Sequence, residues 1–171
     1  SLLDTMLDDG TWDRFLSRRL LVSHMPPSEV RSLTGYVTDR RYREVCRGLV
    51  SGERTLPVPV MKLVSKAGTD RKRTVFTFPE DEMMFLKVLS SQLHAYDHLF
   101  SDDLYSFRRD RGVKDAIRRL VRIPGLERMH CYKVDISDYF NSIDTGAMMP
   151  SLENDLDDPR LTQFLGSMLL D

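Results

Sequence analysis

The residues with the clearest chemical potential lie in Tyr132-Lys133-Val134-Asp135-Ile136-Ser137-Asp138-Tyr139-Phe140-Asn141-Ser142-Ile143-Asp144. An apolar, β-prone run delivers Asp135 to a strand end, a turn carries Asp138, and Phe140 follows five positions after Asp135. Phosphoryl and nucleotidyl transfer need hard carboxylate ligands on rigid elements, so that metal ions neutralise phosphate charge and activate the attacking oxygen. Asp135 suits that role. It equally suits a cap on the helix that follows, the commoner fate of a lone Asp after a strand. One such carboxylate is not a complete active site.

A second constellation is basic. Lys66 and Arg73 flank a predicted turn, so both could reach one anion, Arg as a bidentate clamp and Lys as a point charge. The net charge of −1 hides segregation. Residues 66–73 carry four bases against one acid, and residues 105–122 carry seven bases against two acids. Residues 144–171 carry six acids against one base. Concentrated basic segments suit a phosphate-binding face, and equally suit solvated helix surfaces.

Other patterns carry less. His94 and His98 have a metal-ligand spacing on a helix, but no glutamate completes H-E-x-x-H and no third ligand is evident. Phe100-Ser101-Asp102-Asp103 mimics an aromatic-x-Asp-Asp polymerase signature, yet it follows a helix and reads as a loop or cap. Nucleotide-binding loops of the P-loop and Rossmann kinds, and the hydrolase G-x-S-x-G, do not occur.

Several elements must position these residues. Asp9-Gly10-Thr11 predicts a turn before a helix with Trp12, Phe15, Leu16 and Leu20 on one side. Pro26-Pro27 breaks it. A second helix, capped by Ser28, carries Val30, Leu33, Val37, Tyr42, Val45 and Leu49, and Gly52 ends it. Arg40, Arg41, Arg43 and Arg47 read as its exposed face. Residues 56–64 and 73–78 predict a β-hairpin, with turn chemistry at residues 67–70 and basic residues at its tip. Pro79 suits a helix start, and Glu80, Asp81 and Glu82 complement its dipole. That long helix places Leu86, Leu89, Leu93 and Tyr96 on one face, with Met83 and Phe85 close by.

Gly112 opens a further helix. Val113, Ile117, Leu120 and Val121 form its apolar face, and Arg111, Lys114, Arg118 and Arg122 its basic stripe. Residues 131–136 predict a strand, and two short helices split near Asp157-Asp158-Pro159 close the chain. The methionine pairs at 83–84 and 148–149 read as core.

At 171 residues, with 41% hydrophobic and 30% charged residues, the chain suits one domain or one lobe of an enzyme. No apolar run approaches the roughly 20 residues of a membrane span, and the start is not a signal peptide. A cytoplasmic protein without a membrane partner is expected. Cys46 and Cys131 lack C-x-x-C spacing and read as reduced, packed thiols.

Three segments together resemble the N-terminal half of a bacterial reverse transcriptase of the group II intron-like kind. The first is Lys72-Arg73-Thr74-Val75-Phe76-Thr77-Phe78-Pro79 with its long helix. The second, Phe100-Ser101-Asp102-Asp103-Leu104-Tyr105-Ser106-Phe107-Arg108-Arg109-Asp110-Arg111-Gly112-Val113-Lys114-Asp115-Ala116-Ile117, is similar to the family's F-S-x-x-S-Y-G-F-R-P-G-R-S-x-x-x-A-I block. It departs at Ser106, where the family has Gly, and at Arg109-Asp110, where it has Pro-Gly. The third is the Asp135 stretch, similar to motif A of the palm.

The resemblance implies an α+β fold: a helical N-terminal extension (1–55), a fingers subdomain (56–128) and the start of a palm (129–171). It implies an RNA-directed DNA polymerase using two Mg²⁺ ions, with RNA template, DNA primer and dNTPs as partners. Asp135 would be the first catalytic aspartate and a metal ligand, joined by the carbonyl of Ile136. Asp138 would line the triphosphate site, and Phe140 would be the steric gate against a ribose 2′-OH. Lys66 and Arg73 would hold the incoming nucleotide. Arg108 and Arg111, with Lys114 and Arg118 on the basic helix face, would lie near template or primer backbone.

The family's motifs B and C do not follow, so the expectation is a fragment of a longer enzyme, inactive alone and open to dimerisation. A non-catalytic, maturase-like RNA-binding module and a defence-type reverse transcriptase with unconventional templating share these residues.

Overall fold

A computed structural model describes the chain except for residues 23, 66, 67, 69–71, 138 and 171 and the side chains of Phe140, Asn141 and Leu170. The chain is helix-rich, about 61% helical, with a single two-stranded sheet among the described residues, and is thus coarsely α+β. It divides into two compact units, Ser1–Gln92 and Leu93–Asp171.

The first unit opens with a 3-10 helix, Leu2–Leu7, whose end is joined to helix α1 (Asp9–Val22) through Asp8. The Asp8 carboxylate accepts from the Gly10 amide at 3.1 Å, and its carbonyl accepts from the Thr11 amide at 3.0 Å. These bonds satisfy amides that a helix start leaves orphaned. Trp12 and Phe15 are buried as their spacing predicts, but Leu20 lies exposed.

The predicted second helix is two. Helix α2 (Pro27–Thr38) starts after Pro26, with no side-chain cap, so Ser28 lies inside the helix and does not cap it. Helix α3 (Tyr42–Ser51) ends at Gly52 in the left-handed region, φ 79°, as its glycine predicts. Between them Arg40 also adopts a left-handed backbone, φ 56°. That conformation costs a non-glycine residue about 1–2 kcal/mol. The Arg41 amide closes the turn by donating to the Tyr36 carbonyl at 3.2 Å. The Arg40 side chain is tied to Asp13 (2.7 and 3.2 Å) and to the Tyr42 hydroxyl (3.0 Å). Periodicity could not reveal this break, because apolar residues keep a helical spacing across it.

The core of this unit centres on Trp12, fully buried and stacked on Tyr42 with ring centroids 4.0 Å apart and planes 3° from parallel. Tyr36 packs at 6.1 Å, tilted by 45°. The Trp12 indole donates to the Met6 carbonyl at 3.0 Å, which satisfies its one polar atom inside the core.

Helix α4 (Glu80–Gln92) adds Phe85, Val88 and Leu89. Its buried face therefore runs through 82, 85, 88 and 89, and not through the predicted Leu86 and Tyr96. Leu93 and Tyr96 belong to a 3-10 helix, Leu93–Leu99, that replaces the expected continuation. Of the methionine pairs, Met149 is buried, whereas Met83, Met84 and Met148 are half-buried.

Strands β1 (Val60–Ser65) and β2 (Lys72–Thr77) form the predicted antiparallel hairpin, in register from Val60↔Thr77 to Ser65↔Lys72. Pro57 and Pro59 precede it, as befits residues that cannot donate to a ladder. Alternation puts Val60, Lys62, Val64, Arg73, Val75 and Thr77 on one face and Met61, Leu63, Ser65, Lys72, Thr74 and Phe76 on the other. Both faces are solvated, and Met61 and Phe76 keep 61% and 57% of their surface exposed.

In the second unit a loop leads from the 3-10 helix to helix α5 (Val113–Leu120), and a 3-10 turn, Leu126–Arg128, follows. Residues 130–136 then run without regular structure, so the strand predicted there does not form. A strand exists only by pairing, and among the described residues β1 and β2 pair solely with each other. Tyr132 and Val134 are consequently 87% exposed, and Cys131 is exposed where a packed thiol was expected.

Helices α6 (Tyr139–Ser142), α7 (Thr145–Leu156) and α8 (Pro159–Leu170) close the chain. Helices α7 and α8 pack together around Met149, Leu161 and Leu165. The Asp144 carboxylate caps α7 through the Ala147 amide (2.9 Å), and Asp158 caps α8 through the Leu161 amide (3.1 Å).

Candidate nucleic-acid interface

The basic block of residues 108–122 folds into an ordered ionic cluster rather than a free stripe. Asp97 starts it. The His94 imidazole lies 3.0 Å from one Asp97 oxygen and 3.1 Å from the other, and the Arg108 Nε lies 3.8 Å from the same carboxylate. Arg108 is also held by Asp110, at 3.2 Å from Nε and 3.5 Å from Nη2. Only 6% of its side chain is exposed, and its Nη1 is buried without a hydrogen-bond partner among the described residues. A guanidinium so enclosed holds the loop together, whereas the resemblance implies a place near template or primer backbone. His94 and His98 do not converge on a metal either, since a 3-10 helix of three residues per turn separates positions four apart.

Arg111 is the second arm of the cluster. Its Nε and Nη2 donate to Asp110 at 3.1 and 3.0 Å, and its Nη1 donates to the Asp102 carbonyl at 2.7 Å and carboxylate at 3.2 Å. The Arg111 guanidinium, then that of Arg108, holds the Asp110 carboxyl below the usual carboxylate range. Hydrogen bonding to Asp110, and then to Asp102, pushes the Arg111 pKa up.

Along α5, Arg119 pairs with Asp103 and donates to the Tyr105 hydroxyl at 3.5 Å, contacts that also raise its pKa. Arg118 donates to Asp115 at 2.8 Å, while the other Asp115 oxygen accepts from the Gly112 amide at 3.0 Å and so starts the helix. Lys114 and Arg122 are engaged by no ion pair among the described residues and lie exposed. Asp102 and Asp103 thus act as loop acids, and the resemblance to a polymerase signature is one of sequence only. The apolar face of α5 is present but unburied: Val113 is 74% and Val121 68% exposed.

The other predicted residues fall in both units. Arg73 lies exposed on β2 opposite Val64, in the first unit. Lys66, expected to share its anion, lies outside the described residues, as does Asp138. Phe140 belongs to α6. Asp135 and Ile136 lie on the exposed segment before α6, and no hydrogen bond or ion pair engages Asp135 among the described residues. Among the described residues it is neither a cap nor part of a carboxylate cluster. No group of three or more metal-ligating side chains occurs among the described residues. Magnesium takes six oxygens in a near-octahedral array. One carboxylate with the Ile136 carbonyl does not supply a two-ion site, so the described residues do not fit Mg²⁺ on their own.

Sequence reading missed a cluster on the first unit. Asp9 accepts from the Tyr42 hydroxyl at 2.7 Å and from the Arg43 Nε at 3.2 Å, and Arg40 bridges to Asp13. Hydrogen bonding from Arg43 and then Tyr42 lowers the Asp9 pKa to about 2. Arg41, Arg43 and Arg47 are exposed as expected and Arg40 is half-buried; Arg40 and Arg43 are held by ion pairs, and Arg41 lies over the Tyr36 ring at 5.0 Å. The signal was present as aspartates four apart on α1 and arginines three apart across the α2–α3 break.

A cleft of about 470 Å³ adjoins this cluster, lined by Met6, Leu7, Asp9, Tyr42, Arg43, Cys46 and Arg47. Its Asp9 and Arg43 satisfy each other, and burial pushes the Cys46 thiol up to about 12, which keeps it unreactive. No helix of the described residues is long and apolar enough to cross a membrane. No family, curated protein or solved structure matches the chain.

Proposed function

We propose that the chain binds nucleic acid through the phosphate backbone, and that it carries the fingers and first palm motif of an RNA-directed DNA polymerase. The carrying observation is the exposed hairpin. Its strands hold Lys62, Lys72 and Arg73 and no acid, and Pro79 and the acidic start of α4 follow in the order that the resemblance implies. A cationic surface of this kind gains affinity by releasing counterions from a polyanion, whatever its sequence. In this reading Asp135 is the motif A carboxylate and Phe140 the residue beside the ribose.

Binding of a labelled RNA–DNA primer–template, followed by fluorescence anisotropy across a salt series, tests the reading. Substituting Lys62→Gln and Arg73→Gln, which share one face of the hairpin, weakens binding and reduces the slope of log K against log salt by up to about 1.8, two phosphate contacts' worth. An unchanged slope overturns the hairpin as the interface. In an active polymerase built on this sequence, Asp135→Asn abolishes dNTP incorporation, and retained incorporation removes Asp135 from the motif A role. A non-catalytic RNA-binding module is the second reading. It is favoured by the solitary, unengaged state of Asp135 among the described residues, and it predicts that Asp135→Asn changes nothing.

A further inference from the structure

Two acids sit where phosphate is expected. Asp102 and Asp103 are neighbours in one loop, and they engage arginines at opposite ends of α5. Asp102 takes Arg111, just before the helix, and Asp103 takes Arg119, in its last turn. The Tyr105 hydroxyl adds a third contact, to Arg119. The loop is itself shaped locally, since the Ser101 hydroxyl accepts from the Asp103 amide at 3.1 Å and the Ser101 carbonyl from the Leu104 amide at 3.0 Å.

Both carboxylates face water. The Asp102 side chain is 88% exposed and that of Asp103 67%. Exposed carboxylate pairs of this kind are individually weak, and a phosphate oxygen is an equivalent acceptor for a guanidinium. Arg111 would not be released into disorder by losing the Asp102 carboxylate. Asp110 still holds its Nε and Nη2, and the Asp102 backbone carbonyl still accepts from Nη1. Arg108, buried beneath, anchors Asp110 and stays in place.

We propose that the Asp102–Asp103 loop is a built-in competitor for phosphate, an electrostatic latch that covers Arg111 and Arg119 and yields them to a nucleic-acid backbone. The inference rests on the nucleic-acid reading above and adds a regulator to it. Latched, the α5 surface offers only Lys114 and Arg122 as cations without an ion pair among the described residues. Unlatched, it further offers the Arg119 guanidinium and the Nη1 edge of Arg111, which Asp110 keeps oriented. Polyanion binding through this surface is therefore weaker and less salt-dependent than its arginine content implies.

The test is anisotropy of a fluorescein-labelled oligouridylate with the full chain, the isosteric Asp102→Asn/Asp103→Asn variant, and Glu153→Gln/Asp155→Asn. The last makes the same charge change on an exposed part of α7. Releasing two exposed pairs tightens binding about fivefold. It also steepens the salt slope by up to about 1.4, for two added single-strand contacts. The α7 variant moves far less, and in an Arg111→Gln/Arg119→Gln background the gain disappears. An equal gain from the α7 variant, or a gain that persists without the two arginines, overturns the latch in favour of net charge alone. Equal binding by wild type and Asp102→Asn/Asp103→Asn overturns the latch while leaving RNA binding standing. Absence of RNA binding by every form overturns both.

Discussion

Arg54 and Glu82 offer the sharpest energetic test of the first unit. Glu82 is 1% exposed in the face that α4 presents to the core, and its partner Arg54 follows Gly52 after α3. One Glu82 oxygen pairs with Arg54, and the other is buried with no hydrogen bond among the described residues. Truncating the cation by Arg54→Met leaves a buried carboxylate uncompensated, which typically costs 3–5 kcal/mol. The Arg54 side chain is 43% exposed, so water partly replaces it, and the lower bound of about 3 kcal/mol applies. With a urea slope of about 1.5 kcal/mol/M, the midpoint falls by about 2 M.

The assay is built in. Trp12 is the sole tryptophan and is wholly buried, so its fluorescence follows this unit alone. Adding Glu82→Gln to Arg54→Met removes the stranded charge and recovers about 2 kcal/mol, a coupling that a double-mutant cycle measures. A loss below about 1 kcal/mol for Arg54→Met, or no recovery in the double variant, refutes the buried ion pair as a stabilising lock.

The acid stability of the same unit should depend on Asp9. Its pKa is lowered from 3.8 to about 2, so its stabilisation is present above pH 4 and is lost as pH falls toward 2. Wild type and Asp9→Asn, compared by Trp12 fluorescence, therefore differ most near neutrality and converge between pH 4 and pH 2. Phe85→Ala, in the closed core, costs about 3–5 kcal/mol, whereas Phe76→Ser on the solvated hairpin changes stability by less than about 0.5 kcal/mol in thermal or urea unfolding. A thiol reagent modifies the exposed Cys131 in the native protein and reaches the buried Cys46 only after unfolding; two equivalents reacting at once without denaturant would contradict the packing of α3.

Local chemistry was legible wherever one short segment decided the outcome. Gly52 ends α3, Gly112 opens α5, Pro79 precedes α4, Asp157-Asp158-Pro159 splits α7 from α8, and the prolines and β-branched residues of 56–78 give the hairpin. Each depends on backbone preference within a few residues. The failures share another cause. The α2–α3 break rests on Arg40 reaching Asp13, 27 positions away, and the buried Glu82 on Arg54, 28 positions away. A strand at 131–136 needs a neighbour that no local propensity supplies.

The candidate site divides along the same line. Sequence alone determined that cations concentrate in residues 66–73 and 105–122, and that Asp135 stands with an aromatic residue five positions later. It also supplied a resemblance that spans both features. Tertiary structure alone decided which cations are available. Arg108 is enclosed by Asp97 and Asp110, Arg111 and Arg119 are paired with neighbouring loop acids, and Arg73 stands out on a solvated strand. Charge type is a property of the residue, but its availability to a partner depends on which opposite charge the folded chain brings within reach, and a sequence does not record that distance.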